Sequence, residues 1–102
     1  MKVTYALVQV AGGLMADPQG RHWGYDLSRR SGVRSGVLYP ILHRMLEEGW
    51  LSDGWEDGSE LNGRRPPRRY YVLTEDGISQ LGGILRKAET DSRFSALVER
   101  LA

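Results

Sequence analysis

Tyrosine, histidine and arginine side chains supply the candidate chemistry of this sequence, and they are grouped between residues 34 and 44. Tyr39 can donate a hydrogen bond to a phosphate or stack on a sugar and base. His43 is better placed to donate to a base or phosphate than to catalyse a reaction, and Arg34 and Arg44 lie on either side. Such groups favour recognition of nucleic acid, although a surface histidine without any role is the alternative.

A second basic group follows in a loop rich in glycine and proline. Arg64, Arg65, Arg68 and Arg69 supply four guanidinium groups within six positions. Arginine binds phosphates well and is favoured in a narrow minor groove. The alternative is a solvated loop whose charge only keeps the protein in solution.

The residues that most enzymes and metal sites need are missing from the sequence. It has no cysteine, its two histidines are isolated from each other, and no glycine-rich phosphate loop precedes a lysine. We therefore expect no catalytic residues, no metal site and no cofactor, and we predict that the protein is not an enzyme.

Length and charge suit one small domain. The 102 residues can bury a single modest core, and the net charge of +1 argues neither for nor against nucleic acid. The signs are segregated, since the arginines cluster and acids fill residues 47 to 60. Without a membrane-spanning run or a signal-peptide pattern, we expect a soluble cytoplasmic protein that does not bind membranes.

The elements that position these side chains begin with a helix near residues 35 to 48. Its apolar residues share one face at helical spacing, while Gly36, Tyr39, Pro40 and His43 share the other. Ser35 is a candidate N-cap, Gly36 allows close approach of a partner, and the apolar face consists of Leu38, Ile41, Leu42 and Met45.

This helix follows a shorter one across a glycine turn. A first helix is predicted over residues 4 to 16, a short second one over 24 to 30, and Gly32 suits the left-handed turn between the second and third. A short helix, a tight turn and an accessible third helix are typical of a helix-turn-helix that enters the DNA major groove.

Two strands and a last helix complete the prediction. Two strands are predicted, over residues 50 to 55 and 68 to 73, because apolar and polar residues alternate there. The polar loop between them is too long for a tight turn, so the two strands and their loop predict a wing. Thr74 can cap a last helix that has an apolar face. We favour pairing of this face with a second copy over folding back onto its own chain. The residues of the face are Ile78, Leu81, Leu85, Ala88, Phe94, Leu97, Val98 and Leu101.

The fold class predicted is α+β, mainly α: a winged helix-turn-helix domain over residues 1–74 and a C-terminal dimerisation helix over 75–102. The sequence leaves open whether that helix is continuous or broken near Asp91. Three tryptophans invite a ligand-pocket interpretation, but core anchoring explains Trp23, Trp50 and Trp55 more simply. A small aromatic or drug-like effector remains an alternative.

Four strings, in this order and spacing, resemble the PadR family of transcriptional regulators: Gly-Tyr-Asp-Leu at 24–27, Ser-Gly-Val-Leu-Tyr-Pro-Ile-Leu at 35–42, Glu-Glu-Gly-Trp-Leu at 47–51 and Arg-Arg-Tyr-Tyr-Val-Leu-Thr-Glu-Asp-Gly at 68–77. The resemblance covers about residues 4 to 101 and is closest to the short subgroup with one C-terminal helix. It implies a homodimer formed by that helix, with N-terminal contacts such as Leu7, and repression that a small molecule relieves in many members.

We therefore predict a dimeric repressor that binds double-stranded DNA. The predicted DNA-binding residues are Arg34, Ser35, Gly36, Tyr39, Pro40, His43, Arg44, Arg64, Arg65 and Arg68. Two alternatives keep the same fold: an architectural or recombination accessory factor, and a module that binds another protein through the Tyr39 and Pro40 face. The expanded segment 17–23 and the long wing depart from the family pattern, so the resemblance indicates no particular effector.

Overall fold

A computed structural model describes residues 1–101, except the side chain of Glu60, and shows five helices and one small sheet. The elements in chain order are α1 (Tyr5–Met15), β1 (His22–Trp23), α2 (Gly24–Ser31), α3 (Ser35–Glu47), β2 (Leu51–Trp55), a 3-10 turn (Gly58–Leu61), β3 (Arg69–Leu73), α4 (Glu75–Glu89) and α5 (Ser95–Leu101). This is the predicted winged helix-turn-helix, and α4 continues directly from the wing.

Helix α1 is the central support of the fold. Thr4 caps it, because its hydroxyl accepts a 3.1 Å hydrogen bond from the amide of Leu7. Two glycines weaken its intrinsic helicity but let other helices approach closely. A methyl group on Gly12 would lie 2.7 Å from Leu101 of α5, and one on Gly13 would lie 3.2 Å from Leu27 of α2. The glycines therefore serve packing.

The helix-turn-helix forms as the sequence predicts. Gly32 ends α2 in the left-handed conformation at φ 75°, and Gly49 follows α3 at φ 76°. Leu38, Leu42 and Met45 on α3 are fully buried in the main core, so one face of α3 is fixed to the body of the protein.

The wing is part of a three-stranded antiparallel sheet in the order β1-β3-β2. Leu51 pairs with Leu73, and Trp55 pairs with Arg69. The sequence predicts only two strands, because β1 has two residues and no periodicity can be seen over that length. In the sheet, His22 pairs with Tyr71, which attaches the wing to the start of α2.

Helix α4 begins where the sequence predicts. The Thr74 hydroxyl accepts a hydrogen bond from the amide of Gly77 at 2.9 Å and donates one to the Gly49 carbonyl at 2.7 Å. Gly77 lies so close to the Trp50 carbonyl that a methyl group could not fit between them. One threonine thus caps α4 and ties it to the end of α3.

The C-terminal apolar face folds back on its own chain, whereas the sequence favours pairing with a second copy; the dimer itself stays a prediction. Asp91 breaks the helix: its carboxylate accepts from the amide of Arg93, and its carbonyl accepts from the amides of Phe94 and Ser95. Helix α5 then packs on α1 and α4. The predicted dimer residues that are consequently buried within one chain are Leu7, Leu81, Ala88, Phe94 and Leu97.

The other predicted dimer residues keep some exposure. Ile78, Leu85 and Val98 are half-buried, and Leu101 is 39% exposed. Within residues 1–101, no helix has the length and apolar character needed to cross a membrane. The division of the chain at residue 74 stays a prediction.

Candidate nucleic-acid interface

The outer face of α3 is exposed along its whole length. Ser35, Gly36, Tyr39, Pro40 and His43 are all exposed, and Tyr39 retains 46% of its accessible surface. The sequence contains no acidic residue between Asp26 and Glu47, and it has four arginines in that interval. A phosphate backbone can therefore approach this face without meeting a carboxylate on the first turns of α3.

The start of α3 differs in detail from the prediction. Ser35 is not the N-cap but the first helical residue, and Arg34 occupies the cap position without a side-chain capping hydrogen bond. The Arg34 carbonyl instead accepts from the amides of Val37 and Leu38 at 3.0 and 2.8 Å. The Ser35 side chain is therefore not used as the helix cap.

The last part of the face carries two side-chain contacts with carboxylates, of which the one between Arg44 and Glu48 is an ion pair. His43 lies 3.7 Å from the Glu47 carboxylate, and Arg44 lies 3.2 Å from that of Glu48. All four side chains are more than one third exposed, and exposed pairs of this kind stabilise proteins by only about 0 to 1 kcal/mol. DNA can replace these carboxylates as the partner at little cost.

Tyr39 connects α3 to α2 and the wing. A methyl group built on Gly24 would lie 2.2 Å from the Tyr39 hydroxyl, so the absence of a side chain at Gly24 leaves room for the ring. A cleft of about 310 Å³ opens beside it, lined by Trp23, Gly24, Tyr25, Tyr39, Arg68, Arg69 and Tyr71. Helix α3 and the wing thus border the same cleft.

The wing arginines divide into two kinds. Arg65 donates two hydrogen bonds to the Glu56 carboxylate, at 2.8 and 3.0 Å, and Arg69 pairs with Asp53. The bonded Arg65 guanidinium lowers the pKa of Glu56 to about 2. Arg64 and Arg68 are exposed. The predicted DNA-binding role of Arg65 stays a prediction, and its guanidinium also closes the base of the wing loop.

The three tryptophans do not all act as core anchors, which is the single role that the sequence predicts for them. Trp50 is buried in the core, and Trp23 is half-buried with its ring 6.1 Å from that of Tyr70. Trp55 is 65% exposed on β2, so the interpretation of all three as core anchors is wrong for this residue. It lies at the end of the first wing strand, where it pairs with Arg69.

Two residues just before α2 and one in its last turn have roles that sequence reasoning missed. The Arg21 guanidinium lies 4.3 Å above the Tyr70 ring, and His22 is buried. The Arg30 guanidinium contacts His22 and the Gly13 carbonyl. The isolated histidine beside an arginine gave no periodic signal, and only the pairing of β1 with β3 brings these groups together.

A helix-turn-helix with a basic face, followed by a wing, defines a DNA-binding transcriptional regulator. Residues 18–82 match the model of the transcriptional regulator PadR-like family. The chain belongs to this family, as the four sequence strings indicate. No curated protein sequence matches the chain.

Solved structures agree with the fold. A PadR family transcription regulator from hypervirulent Clostridium difficile R20291 is 20% identical, with a TM-score of 0.66 over 95% of this chain and 96% of that chain. A PadR-like transcriptional regulator from Bacillus cereus ATCC 14579 is 26% identical, with a TM-score of 0.62 over 92% and 90%.

A third similar structure is BpsR of Bordetella bronchiseptica, with 17% identity and a TM-score of 0.67 over 98% of this chain and 76% of that chain. The DNA binding of BpsR is regulated by 6-hydroxynicotinic acid. At this identity the similarity establishes the fold alone.

Proposed function

We propose that the protein is a homodimeric repressor in which each protomer lays residues 35 to 44 in a DNA major groove and sets Arg64 and Arg68 on the adjacent backbone. The observation that carries this proposal is the exposed face of α3, which has no acidic residue in its first two turns and is flanked by arginines. A dimer of this kind reads half-sites about one helical turn, roughly 34 to 36 Å, apart or a multiple of it.

The side chains of α3 divide into two roles. His43 and Arg44 point from the later turns and can donate to base edges, for which arginine and guanine form the commonest specific pair. Arg34, Ser35 and Tyr39 suit phosphates near the helix start. Gly36 and Pro40 have no long side chains, so the helix can enter the groove deeply.

The proposed dimer surface is formed by α1, α4 and α5 and not by α3 or the wing. A groove of about 230 Å³ remains between α1, α4 and α5 after α5 has folded back, and its lining residues are Gly12, Met15, Ala16, Leu85, Glu89, Val98 and Leu101. Its half-exposed apolar side chains favour contact with a second copy. Ile78 and the five buried residues named above would then support this surface from inside the protomer.

Repression and its relief by a small molecule are the finer part of the proposal. Binding of a dimer to an operator blocks transcription where the operator overlaps a promoter. The example of BpsR supports an effector, and we propose a small aromatic or drug-like molecule as its class. We propose the cytoplasm as the place of action, since a transcriptional regulator must reach DNA.

Selection of bound duplexes from a random pool, repeated at two salt concentrations, tests DNA recognition. We expect one enriched sequence with two half-sites, and a loss of about 1 to 3 kcal/mol for His43→Ala on that sequence but not on random DNA. Enrichment of no sequence, or equal losses on both kinds of DNA, would contradict the proposed recognition.

Light scattering with two matched variants tests the dimer. Leu85→Glu places a charge in the proposed interface, whereas Gln80→Glu adds the same charge at an exposed position of the same helix. We expect a monomer for Leu85→Glu and a dimer for Gln80→Glu. A dimer for both variants would remove this groove from the interface.

A further inference from the structure

His22 is buried at the junction between the wing and the helix-turn-helix. Its residue surface is 2% exposed, and both ring nitrogens have partners. Nδ1 lies 3.0 Å from a guanidinium nitrogen of Arg30, and Nε2 lies 2.8 Å from the Asp17 carbonyl oxygen. A guanidinium can only donate and a carbonyl can only accept, so the geometry requires a neutral ring with its proton on Nε2.

Arg30 extends this contact into α1. Its other guanidinium nitrogen lies 3.3 Å from the Gly13 carbonyl, near the end of α1. His22 itself pairs with Tyr71 in the sheet, and Trp23 pairs with Tyr70. The histidine and the arginine therefore join the end of α1, the end of α2 and the strand that holds the wing.

The position of the wing relative to α3 decides whether both can touch one DNA duplex. Strand β1 connects them, because it pairs with β3 of the wing and leads directly into α2. Helix α2 is fixed to the start of α3 by Ser28, whose hydroxyl donates to the Val33 carbonyl at 2.7 Å. A change at His22 is thus transmitted to both parts of the DNA surface.

We propose that His22 and Arg30 are positioning residues for DNA binding: the neutral ring holds β1 and the wing in register with α3, and protonation of the ring releases them and weakens DNA binding. This inference rests on the proposed DNA-binding surface. It makes the regulator sensitive to acid through a site distant from the bases.

The charges around the ring support this direction. A proton on Nδ1 would face the Arg30 guanidinium at hydrogen-bond distance, and the positive charges would repel. Burial lowers the pKa of His22, the Arg30 charge lowers it further, and the Asp17 carbonyl hydrogen bond opposes both. The charged groups that act on the ring are Asp17 and Arg30; Arg21, Asp26 and Arg29 line the same surface cleft of about 510 Å³, and Tyr71 is the cross-strand partner of His22.

The sign of the effect follows from the lowered pKa. The folded protein disfavours the protonated ring, so the stabilisation from His22 is complete above the ordinary value of 6.5 and decreases as the pH falls towards the lowered pKa. A second histidine, His43, lies on the proposed DNA surface. The two histidines must therefore be separated in the experiment.

DNA affinity is measured in a His43→Gln background at about pH 7.5 and about pH 5.5, at constant ionic strength. We expect binding to be several-fold weaker at the lower pH, because a proton on the ring breaks its contact with Arg30. Adding His22→Gln keeps an amide donor and a carbonyl acceptor without a titrating group, and should remove this loss. An equal loss in both proteins would overturn the inference.

Two arginine variants separate position from charge. Arg30→Gln and Arg29→Gln remove the same charge from the last turn of α2, but only Arg30 contacts His22. We expect Arg30→Gln to reduce the pH dependence, with the part due to burial of the ring remaining, and Arg29→Gln to retain it in full. Loss of the pH dependence in both variants would assign the effect to general charge and contradict a positioning role.

An NMR titration of the free protein tests the inference without DNA. In the His43→Gln protein, the backbone amides of Tyr70 and Tyr71 should shift with the same midpoint as the His22 ring, and with His22→Gln they should not shift. If the Tyr70 and Tyr71 amides do not shift with the His22 midpoint, the proposed link between His22 and the wing is refuted. Absence of DNA binding at every pH would instead contradict the proposed function.

Discussion

The Glu56 carboxylate and the Arg65 guanidinium form a two-point pair that closes the base of the wing. The two hydrogen bonds measure 2.8 and 3.0 Å, and the same carboxylate accepts a third from the backbone amide of Arg68 at 2.8 Å. The Glu56 side chain thus holds together the two ends of the long loop between β2 and β3. This explains how a loop rich in glycine and proline can present Arg64 and Arg68 in a defined place.

The first prediction concerns the titration of Glu56. Its pKa is lowered from 4.5 to about 2, mainly by the Arg65 hydrogen bonds and also by the Arg68 amide. Because the folded-state pKa is depressed, the wing attachment is complete above about pH 4.5 and is lost as the pH falls towards 2. Carboxyl NMR should show this low midpoint, and Arg65→Gln should move it back towards 4.5. A Glu56 midpoint that is unchanged by Arg65→Gln would contradict the pairing of Glu56 with Arg65.

The second prediction separates the two kinds of wing arginine. Arg64→Gln should weaken binding to all DNA sequences and reduce the slope of log affinity against log salt by about 0.9, as for one lost phosphate contact. Arg65→Gln should also weaken binding, but together with a change in the exchange rates of the loop amides, because Glu56 loses its partner. Filter-binding titrations and hydrogen exchange provide the two measurements. Unchanged hydrogen-exchange rates of the loop amides in Arg65→Gln would indicate that Arg65 acts by contacting DNA directly.

The third prediction concerns the space beside Tyr39. Gly24→Ala places a methyl group 2.2 Å from the Tyr39 hydroxyl, which is the mobile end of an exposed side chain. The ring should move aside, so the free energy of unfolding should change by less than about 1 kcal/mol while DNA affinity falls. Adding Tyr39→Ala should make Gly24→Ala neutral for DNA binding. Additive losses in this double-mutant cycle would show that the two positions are not coupled.

The fourth prediction compares two glycines of α4. Gly77→Ala has no room, because a methyl group would meet the backbone carbonyl of Trp50 and a backbone atom cannot rotate away. We expect a loss of about 3 kcal/mol or more in the free energy of unfolding. Gly83→Ala meets no atom closer than 3.9 Å and should stabilise the helix by about 1 kcal/mol. Urea denaturation measures both values, and equal effects would contradict this packing.

Periodicity and capping residues predict most of this fold. The buried face of α3, the turn at Gly32, the cap at Thr74 and the wing strands follow from local rules, and the sequence places them within a few residues. Such features depend on residues near one another in the chain. Arg34, Arg44, Arg64 and Arg68 are exposed, and their role in DNA binding stays a prediction.

Other features depend on contacts between distant residues, and the sequence does not specify them. The fold-back of α5 depends on Gly12 leaving room for Leu101, and the roles of Arg65 and Arg30 depend on which acceptor lies nearest in space. An apolar helix face can be covered by its own chain or by a second copy with the same pattern. Composition alone cannot distinguish these two forms of burial.

The unequal burial of the tryptophans gives the protein two natural optical reporters. Trp50 is 8% exposed and should emit at short wavelength from the core, whereas Trp55 is 65% exposed on the wing and should emit near the maximum of free indole. The core residue then reports global unfolding. The wing residue reports local events near the DNA surface, such as quenching when nucleic acid approaches, without any attached dye.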